Sequence, residues 1–289
     1  MESPGEVTGA HDAAAARTSE AKSDGGATLF GRRSALFLPA SNPRAIARAR
    51  EAGADLVILD LEDAVPDPQK AVARDAAIAA VAEPWPCLVG IRINGTASEW
   101  HCADLAAVAR SAADFAVLPR ADDAAAFASV AAQIGRPLLA MIETPRGVLA
   151  APAIAMVAAA LLAGTNDLSA SLRLPTGSGR QPLQTALQTV VIAARAAGIP
   201  CFDGVFNRLD DEPGFASEAA ESRALGFDGK TLIHPSQVAP CHAVFAPTPA
   251  ERARAERLIA EAAGGAQRFE GEMVEAMHVA AARRLLGLS

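Results

Sequence analysis

The sequence contains no tyrosine and very little lysine, and each shortage excludes a type of catalysis. Without tyrosine, no tyrosyl hydroxyl can act as an acid or a base. The lysines are Lys22, Lys70 and Lys230, against 23 arginines. A Schiff-base aldolase needs a desolvated lysine at the active-site end of a strand. Lys22 lies in the N-terminal tail, Lys70 at a predicted helix start, and Lys230 at the beginning of a predicted strand. Carbon–carbon bond chemistry in this chain would therefore require a metal ion as its electron sink.

Long apolar runs, basic clusters and paired cysteines are also missing. No run reaches the length of a membrane span, and residues 1–30 have no apolar core of a signal peptide, so we expect a disordered tail there. The net charge is −7 and the pI is near 5.3, which argues against nucleic acid as a partner. The four cysteines are scattered, without the spacing of a zinc site or a disulfide framework. We expect a reduced, cytoplasmic enzyme that does not bind a membrane.

Beyond the tail, short apolar runs alternate with alanine-rich helical stretches. Continuous apolar strands are typical of a parallel sheet that is buried on both faces. Eight strand–helix units in about 230 residues predict an α/β fold, a (β/α)8 TIM barrel over residues 31–265. A doubly wound open sheet is the alternative, but no G-x-G-x-x-G motif follows the first strand. The predicted strands are 35–39, 56–60, 88–93, 115–119, 138–142, 161–163, 201–205 and 231–233.

A further segment, residues 266–289, follows the predicted barrel. Its pattern indicates a polar turn followed by an amphipathic helix. This C-terminal helical extension is either a helix docked on its own barrel or a lid that reaches an active site. Composition favours the first of these two interpretations.

Two carboxylates follow neighbouring predicted strands. Glu143 ends the fifth apolar run and Asp167 ends the sixth, with room for one crossover helix between them. The carboxyl ends of parallel strands meet at one face of a barrel, where active sites lie. Two hard oxygen ligands with space for water and substrate suit Mg²⁺ better than Zn²⁺. The alternative is a pair of solvated acids at strand ends.

More polar groups follow the second and third strands. Asp60, Glu62 and Asp63 place three acids within four positions, and such acids repel one another unless a cation neutralises them. The third strand ends in RIN (92–94), where Arg92 and Asn94 are expected to share a face of the strand. A guanidinium there could clamp a substrate carboxylate through two hydrogen bonds. A structural ion pair between Arg92 and one of the three acids is the alternative, and the two roles are compatible.

Taken in order, these motifs resemble the citrate lyase β-subunit (CitE-like) family of the HpcH/HpaI aldolase superfamily. The resemblance covers residues 34 to about 275. The matching stretches are LFLP (36–39), DLEDAV (60–65), VGIRIN (89–94), LPR (118–120), IET (142–144), GTNDL (164–168), DGV (203–205), LGFDGK (225–230) and IHPSQ (233–237).

The resemblance implies a (β/α)8 barrel that forms a homotrimer or a multiple of three and uses Mg²⁺ on CoA-thioester substrates. It implies that Glu143 and Asp167 bind the metal, with Glu143 also at the substrate, and that Arg92 holds the keto-acid portion. Glu62 and Asp63 would order metal-bound waters and orient Arg92. The stretch GEMVE (271–275) resembles a lid motif that ends in aspartate and reaches a neighbouring subunit as acid or base. Glu275 stands in its place, one methylene longer.

The resemblance implies a carbon–carbon lyase, or the reverse condensation, acting on a β-hydroxyacyl-CoA such as citryl-CoA, malyl-CoA or citramalyl-CoA. The products would be a keto acid and an acyl-CoA. Three alternatives stay open: a CoA-independent metal aldolase on hydroxy-keto acids, an acyl-CoA thioesterase, and a non-catalytic paralogue within a larger complex.

Overall fold

The first 245 residues contain a closed barrel of eight parallel strands, with helices on its outside. The computed structural model describes residues 29–288, so nearly all of the predicted tail lies outside the described residues. The strands pair in sequence order and the eighth closes on the first, which confirms the predicted TIM barrel. The strands are β1 Ser34–Pro39, β2 Leu56–Asp60, β3 Leu88–Arg92, β4 Phe115–Leu118, β5 Leu138–Ile142, β6 Ala160–Ala163, β7 Cys201–Asp203 and β8 Gly229–Leu232.

The helices that the structure describes here lie between successive strands or after the last one, and four of these nine begin at a side chain that caps them. Asn42, Asp123, Thr144 and Asp211 each accept a hydrogen bond from a backbone N–H in the first turn of the following helix. The helices of this unit are α1 Pro43–Ala49, α2 Lys70–Val81, α3 His101–Ala109, α4 Ala124–Ile134, α5 Pro145–Ala155, α6 Thr165–Ser171, α7 Gln184–Ala197, α8 Glu212–Leu225 and α9 Val238–Phe245.

Side chains fill the inside of the barrel, and their alternation sets which residues point inward. Leu56 and Ile58 of β2 belong to the inner cluster, whereas Val57 and Leu59 pack against the helices. The interior requires glycine at one strand position. A Cβ at Gly90 in β3 would overlap the ring of Phe115 from β4, which fills that space.

Two local features differ from the sequence-based expectations. The chain after β6 turns at once into α6, a helix that the apolar pattern did not reveal because only Leu168 and Thr165 are buried in it. Arg92 and Asn94 were predicted to share a strand face. Because β3 ends at Arg92, Asn94 lies beyond the strand and its side chain contacts Asp104 of α3 instead.

Residues 246–289 form a second compact unit. It contains α10 Pro249–Glu261, a hairpin of β9 Gln267–Phe269 and β10 Glu272–Val274, and α11 Ala276–Leu285. The predicted amphipathic helix is present, but the predicted polar turn before it is an antiparallel hairpin. In the structure α10 groups with the C-terminal unit. The predicted domain border between residues 265 and 266 stays a prediction. Within the described range 29–288, no helix is long and apolar enough to cross a membrane.

Candidate active site at the carboxyl end of the barrel

The strand pleat brings an arginine and two acids to the inside of one mouth of the barrel. Asp60 and Arg92 end β2 and β3 and are direct partners in the strand register. Both follow inward-facing residues by two positions, so they point inward as well. Glu143 comes directly after β5, two positions beyond Met141 of the inner cluster.

Arg92 is buried and makes its best hydrogen bonds with Asp60. Its Nε and Nη2 atoms donate to Oδ1 and Oδ2 of Asp60, each at 2.6 Å. Burial by itself would lower the pKa of Arg92, but Asp60 and the nearby acids raise it above its ordinary value. The structural ion pair is therefore present, and the two-pronged face of the guanidinium is directed at Asp60.

The remaining nitrogen of this guanidinium faces the two acids of the following loop. Nη1 of Arg92 lies 2.8 Å from Oε2 of Glu62 and 3.7 Å from Oδ2 of Asp63. The contact with Glu62 is an ion pair without hydrogen-bond geometry, since Oε2 is buried and accepts no hydrogen bond. Burial raises the pKa of Glu62 to about 7, with Arg92 lowering it and Asp63, Asp60 and Asp167 raising it.

Glu143 is almost completely buried, with 2% of its surface exposed. Its Oε1 atom accepts a hydrogen bond of 2.7 Å from the backbone N–H of Arg120. Its other oxygen faces Gly164, where an added Cβ would lie only 2.6 Å from Oε2. Burial, together with the charges of Glu62 and Asp167, raises the pKa of Glu143 to about 8, although the hydrogen bond from Arg120 lowers it.

Asp167 lies in the first turn of α6 rather than at the end of β6 itself. The strand ends at Ala163, and the short connection through Gly164 leaves Asp167 half-buried at the same mouth. Its charge contributes to the raised pKa of both Glu143 and Glu62. The two acids predicted as metal ligands therefore lie in one electrostatic cluster.

A cavity of about 350 Å³ opens at this mouth of the barrel. Arg92, Asp60, Asp63 and Asp167 supply its charged groups. Its other walls are mainly apolar and come from the ends of the first, fifth, sixth, seventh and eighth strand–loop units: Phe37, Leu38, Pro39, Met141, Ala163, Val205 and Ile233. A polar corner in an apolar cleft fits a small acid attached to a longer, less polar chain.

The chemistry of these oxygens fits a divalent cation that keeps several waters. Among residues 29–288, no three or more histidine, cysteine, aspartate or glutamate side chains meet in an arrangement that could hold a metal ion. Mg²⁺ commonly uses only one or two carboxylates and completes its octahedron with water and substrate. The charges of Glu62 and Asp167 raise the pKa of Glu143, and a bound cation would relieve this repulsion. Glu143 and Asp167 could therefore supply two ligands.

Lys230 is removed from this site, as its position at the start of a strand predicted. It lies in β8 beside Asp203, fully buried, and its Nζ donates to Oδ2 of Asp203 and Oε1 of Glu218, both at 2.7 Å. Arg180 donates to the other oxygen of Asp203 at 2.7 Å. Burial would raise the pKa of Asp203, but Lys230 and Arg180 lower it. Lys230 therefore stabilises the outside of the barrel and is not available as a nucleophile.

Glu275 is exposed and immediately precedes α11 in the C-terminal unit. Its backbone N–H donates to Nδ1 of His278 at 2.9 Å. The predicted role of Glu275 in a neighbouring subunit stays a prediction.

Two contributors to the site have no signal in the sequence. The backbone N–H of Arg120 reaches Glu143 because Arg120 adopts a left-handed conformation with φ 49°, which residue type does not reveal. The Nζ atom of Lys70 donates a hydrogen bond to the backbone oxygen of Glu62, but the place of Lys70 in the sequence indicated only the start of a helix.

The fold and the site define a (β/α)8 barrel with an acid-rich, arginine-containing mouth that suits divalent-metal chemistry on small organic acids. The chain belongs to the HpcH/HpaI aldolase/citrate lyase family, whose model matches residues 33–235. This confirms the resemblance found in the sequence.

Relatives and solved structures agree with this membership. The chain is 40% identical over 265 residues to a (3S)-malyl-CoA thioesterase of Cereibacter sphaeroides, covering 88% of this chain and 93% of the relative. It is 35% identical over 278 residues to the citrate lyase subunit beta of Escherichia coli, covering 88% and 92%. The crystal structure of CitE from Mycobacterium tuberculosis in complex with magnesium, acetoacetate and coenzyme A matches with a TM-score of 0.80 and 33% identity. That match covers 90% of this chain and 98% of the CitE chain.

Proposed function

We propose that the protein is a Mg²⁺-dependent carbon–carbon lyase, or the reverse condensing enzyme, acting on a β-hydroxyacyl-CoA. The observation that carries the proposal is the meeting of Arg92, Glu143 and Asp167 at one mouth of the barrel. The relatives support the substrate class, because one is a (3S)-malyl-CoA thioesterase and another is a citrate lyase subunit beta. The CitE structure with magnesium, acetoacetate and coenzyme A supports the combination of metal, small acid and CoA.

Glu143 and Asp167 are the residues that would hold Mg²⁺, with Glu62 and Asp63 binding its waters. When bound, the ion supplies Lewis acidity toward the oxygens of the hydroxy acid. The hydrogen bond from the Arg120 N–H fixes Oε1 of Glu143 and leaves Oε2 for the ion. The crowding of acids that raises the pKa of Glu143 and Glu62 is then relieved by positive charge.

Arg92 would bind the acid portion of the substrate through one nitrogen rather than two. Asp60 already engages Nε and Nη2, and this pairing fixes the plane of the guanidinium. Nη1 faces Glu62 and Asp63 and is the donor that a substrate carboxylate can reach. Arg92 would thereby stabilise negative charge that develops on the keto-acid fragment as the carbon–carbon bond breaks.

The proton of the substrate hydroxyl must leave as that bond breaks. Glu275 of a neighbouring subunit is our candidate acceptor, and its carboxylate would later return a proton to the acyl-CoA carbon. This role includes the proposal of a homotrimer or a multiple of three. Because the side chain of Glu275 is one methylene longer than that of aspartate, its carboxylate would be placed less favourably for proton transfer.

Hydrolysis of the thioester is a second candidate, favoured by the name of the relative from Cereibacter sphaeroides. The two reactions differ in their products, because hydrolysis releases free CoA and a hydroxy diacid, whereas cleavage alone leaves the thioester intact. A CoA-independent aldolase would cleave free hydroxy-keto acids instead.

A panel of thioesters tests these proposals together. Citryl-CoA, malyl-CoA and citramalyl-CoA are incubated with Mg²⁺ or with EDTA, and keto acid, acyl-CoA and free CoA are each quantified. Acetyl-CoA with glyoxylate tests condensation, and free 4-hydroxy-2-keto acids test the CoA-independent reaction. We expect Mg²⁺-dependent release of a keto acid and an acyl-CoA from at least one thioester. Turnover of free hydroxy-keto acids alone would overturn the CoA proposal, and no reaction at all would favour the non-catalytic paralogue.

A further inference from the structure

The ammonium group of Lys70 is buried beneath the loop that carries Glu62 and Asp63. Only 6% of the residue is exposed. Its Nζ donates to the backbone oxygens of Leu61 at 2.9 Å and Glu62 at 2.8 Å, and to Oδ1 of Asn94 at 2.8 Å. Each of its three N–H bonds therefore has an acceptor, and all three acceptors are neutral oxygens.

Burying a lysine ammonium at this position costs free energy. A charged group taken out of water loses its hydration, and neutral acceptors return only part of that free energy. An apolar side chain would pack at the start of α2 without this loss. The position of Lys70 therefore indicates a role that depends on its three donors.

The same network reaches the end of β3. Asn94 donates from Nδ2 to Oδ2 of Asp104 at 2.6 Å and to the backbone oxygen of Leu61 at 3.0 Å. The backbone N–H of Asn94 also donates to Oδ2 of Asp104, at 3.0 Å. Lys70 thus joins the backbone just after β2 to the side chain of Asn94, just after β3, close to where Glu62 meets Arg92.

We propose that Lys70 is a positioning residue for the active site. It fixes the loop after β2 so that the carboxylates of Glu62 and Asp63 face Nη1 of Arg92, the nitrogen assigned to the substrate acid. The catalytic part of this assignment rests on the proposed function, whereas the effect on the loop does not. Lys70 acts through the backbone oxygen of Glu62 and needs no contact with substrate.

Lys230 provides a matched control. It is another buried lysine whose Nζ joins two elements, but its partners are Asp203 and Glu218 on the outside of the barrel. Replacing either lysine by methionine keeps the chain length of the side chain and removes the donors. Loss of a buried lysine as such would affect both variants, whereas loss of positioning would affect only Lys70→Met.

The experiment compares Lys70→Met and Lys230→Met with the wild type in the full chain. The first measurement is hydrogen exchange of the amides of residues 61–65, which include the Ala64 N–H bound to Asp60 and the Val65 N–H bound to Glu62. We expect exchange in this stretch to rise in Lys70→Met and to stay at the wild-type rate in Lys230→Met.

The second measurement is kcat and KM for the thioester that the wild type cleaves. We expect kcat to fall about 10- to 100-fold in Lys70→Met, as for other residues that orient active-site groups, with little change in KM.

Wild-type exchange at residues 61–65 in Lys70→Met would overturn the proposal, as would raised exchange with unchanged kcat. An equal loss of kcat in Lys230→Met would also overturn it, because the effect would then be one of general stability. If Lys70→Met does not fold, Lys70→Arg and Lys230→Arg are compared in the same way, with smaller expected effects of the same direction. If the wild type cleaves no thioester, the proposed function fails, and the exchange comparison still decides whether Lys70 orders the loop.

Discussion

Asp60 and Arg92 are neighbours in the strand register and form two parallel hydrogen bonds, Nε to Oδ1 and Nη2 to Oδ2, each 2.6 Å long. The same two carboxylate oxygens also accept the backbone N–H groups of Glu62 and Ala64. Asp60 thus orients the guanidinium and begins the loop that carries the other acids. This pairing leaves Nη1 as the donor that we propose for a substrate carboxylate.

Replacing Arg92 by lysine keeps the charge and removes this fork. An ammonium cannot hold both oxygens of Asp60 in the same plane and also present a donor to the substrate. We expect kcat/KM toward the keto-acid fragment to fall at least about tenfold. Arg195→Lys is a matched control, because Arg195 forms a similar two-pronged pair with Asp228 on a more exposed surface. Unchanged kinetics in Arg92→Lys would count decisively against its role.

Gly164 is required by the carboxylate of Glu143 rather than by its own backbone conformation. A Cβ at position 164 would overlap the Cβ of Glu143 and approach its Oε2 to 2.6 Å. We therefore expect Gly164→Ala to displace Glu143 and to weaken Mg²⁺ binding about tenfold or more, measured by calorimetric titration. Gly265→Ala serves as the control, since no atom lies within 4 Å of the added Cβ. Equal Mg²⁺ affinity in both variants would show that Glu143 does not bind the ion.

The pH dependence of stability should report the crowded acids. In the folded protein the pKa of Glu143 is about 8 and that of Glu62 about 7, against 4.5 for an unperturbed glutamate. Between pH 4.5 and 8 the folded state binds more protons than the unfolded state. These two groups therefore contribute stability that is fully present below about pH 4.5 and is lost as the pH rises through 7 and 8.

Chemical denaturation in EDTA at pH 5, 6, 7 and 8 measures this effect. We expect Glu143→Gln to flatten the decrease in the free energy of unfolding relative to the wild type, and Glu51→Gln, an exposed control, to leave it unchanged. Mg²⁺ should stabilise the wild type more at pH 8 than at pH 5. The same slope in wild type and Glu143→Gln would mean that Glu143 is ionised in the metal-free protein.

The Glu275 proposal can be tested by mixing subunits. We expect Glu275→Gln to lower turnover and Glu275→Asp to raise it, because the shorter acid restores the spacing of the lid motif. Asp167→Ala and Glu275→Gln should each be nearly inactive alone. Mixed and allowed to exchange subunits, they should regain part of the activity, since one site then combines an intact Asp167 with an intact Glu275. No recovery after proven subunit exchange would argue against a shared site.

How much the sequence could predict depended on whether a feature leaves a repeating pattern. The barrel strands were predictable because burial on both faces produces apolar runs such as 56–60 and 138–142. Glu143 and Asp167 were found because they follow such runs. Helix α6 was missed because a seven-residue helix has too few buried positions to show a period.

Side-chain partners were harder to predict than backbone elements. The choice of Asp60 over Glu62 as the main partner of Arg92 depends on strand register, which no single strand's sequence contains. The left-handed backbone of Arg120 and the buried contacts of Lys70 depend on tertiary packing as well. These contacts surround the candidate site, and only the folded chain brings them together.

The most direct test of Mg²⁺-dependent lyase activity is to identify the keto acid that the wild type and Asp167→Ala release from a β-hydroxyacyl-CoA. Asp167 is half-buried at the mouth and is not part of the core, so its replacement should leave the fold intact, as circular dichroism can verify. Asp75→Ala, at an exposed position of α2, is the control. We expect the wild type and Asp75→Ala to release keto acid and acyl-CoA in a Mg²⁺-dependent reaction. Folded Asp167→Ala has lost a metal ligand, and we expect its release of keto acid to be at least about a hundredfold lower. Equal keto-acid release by Asp167→Ala, or release that is indifferent to EDTA, would contradict the claim.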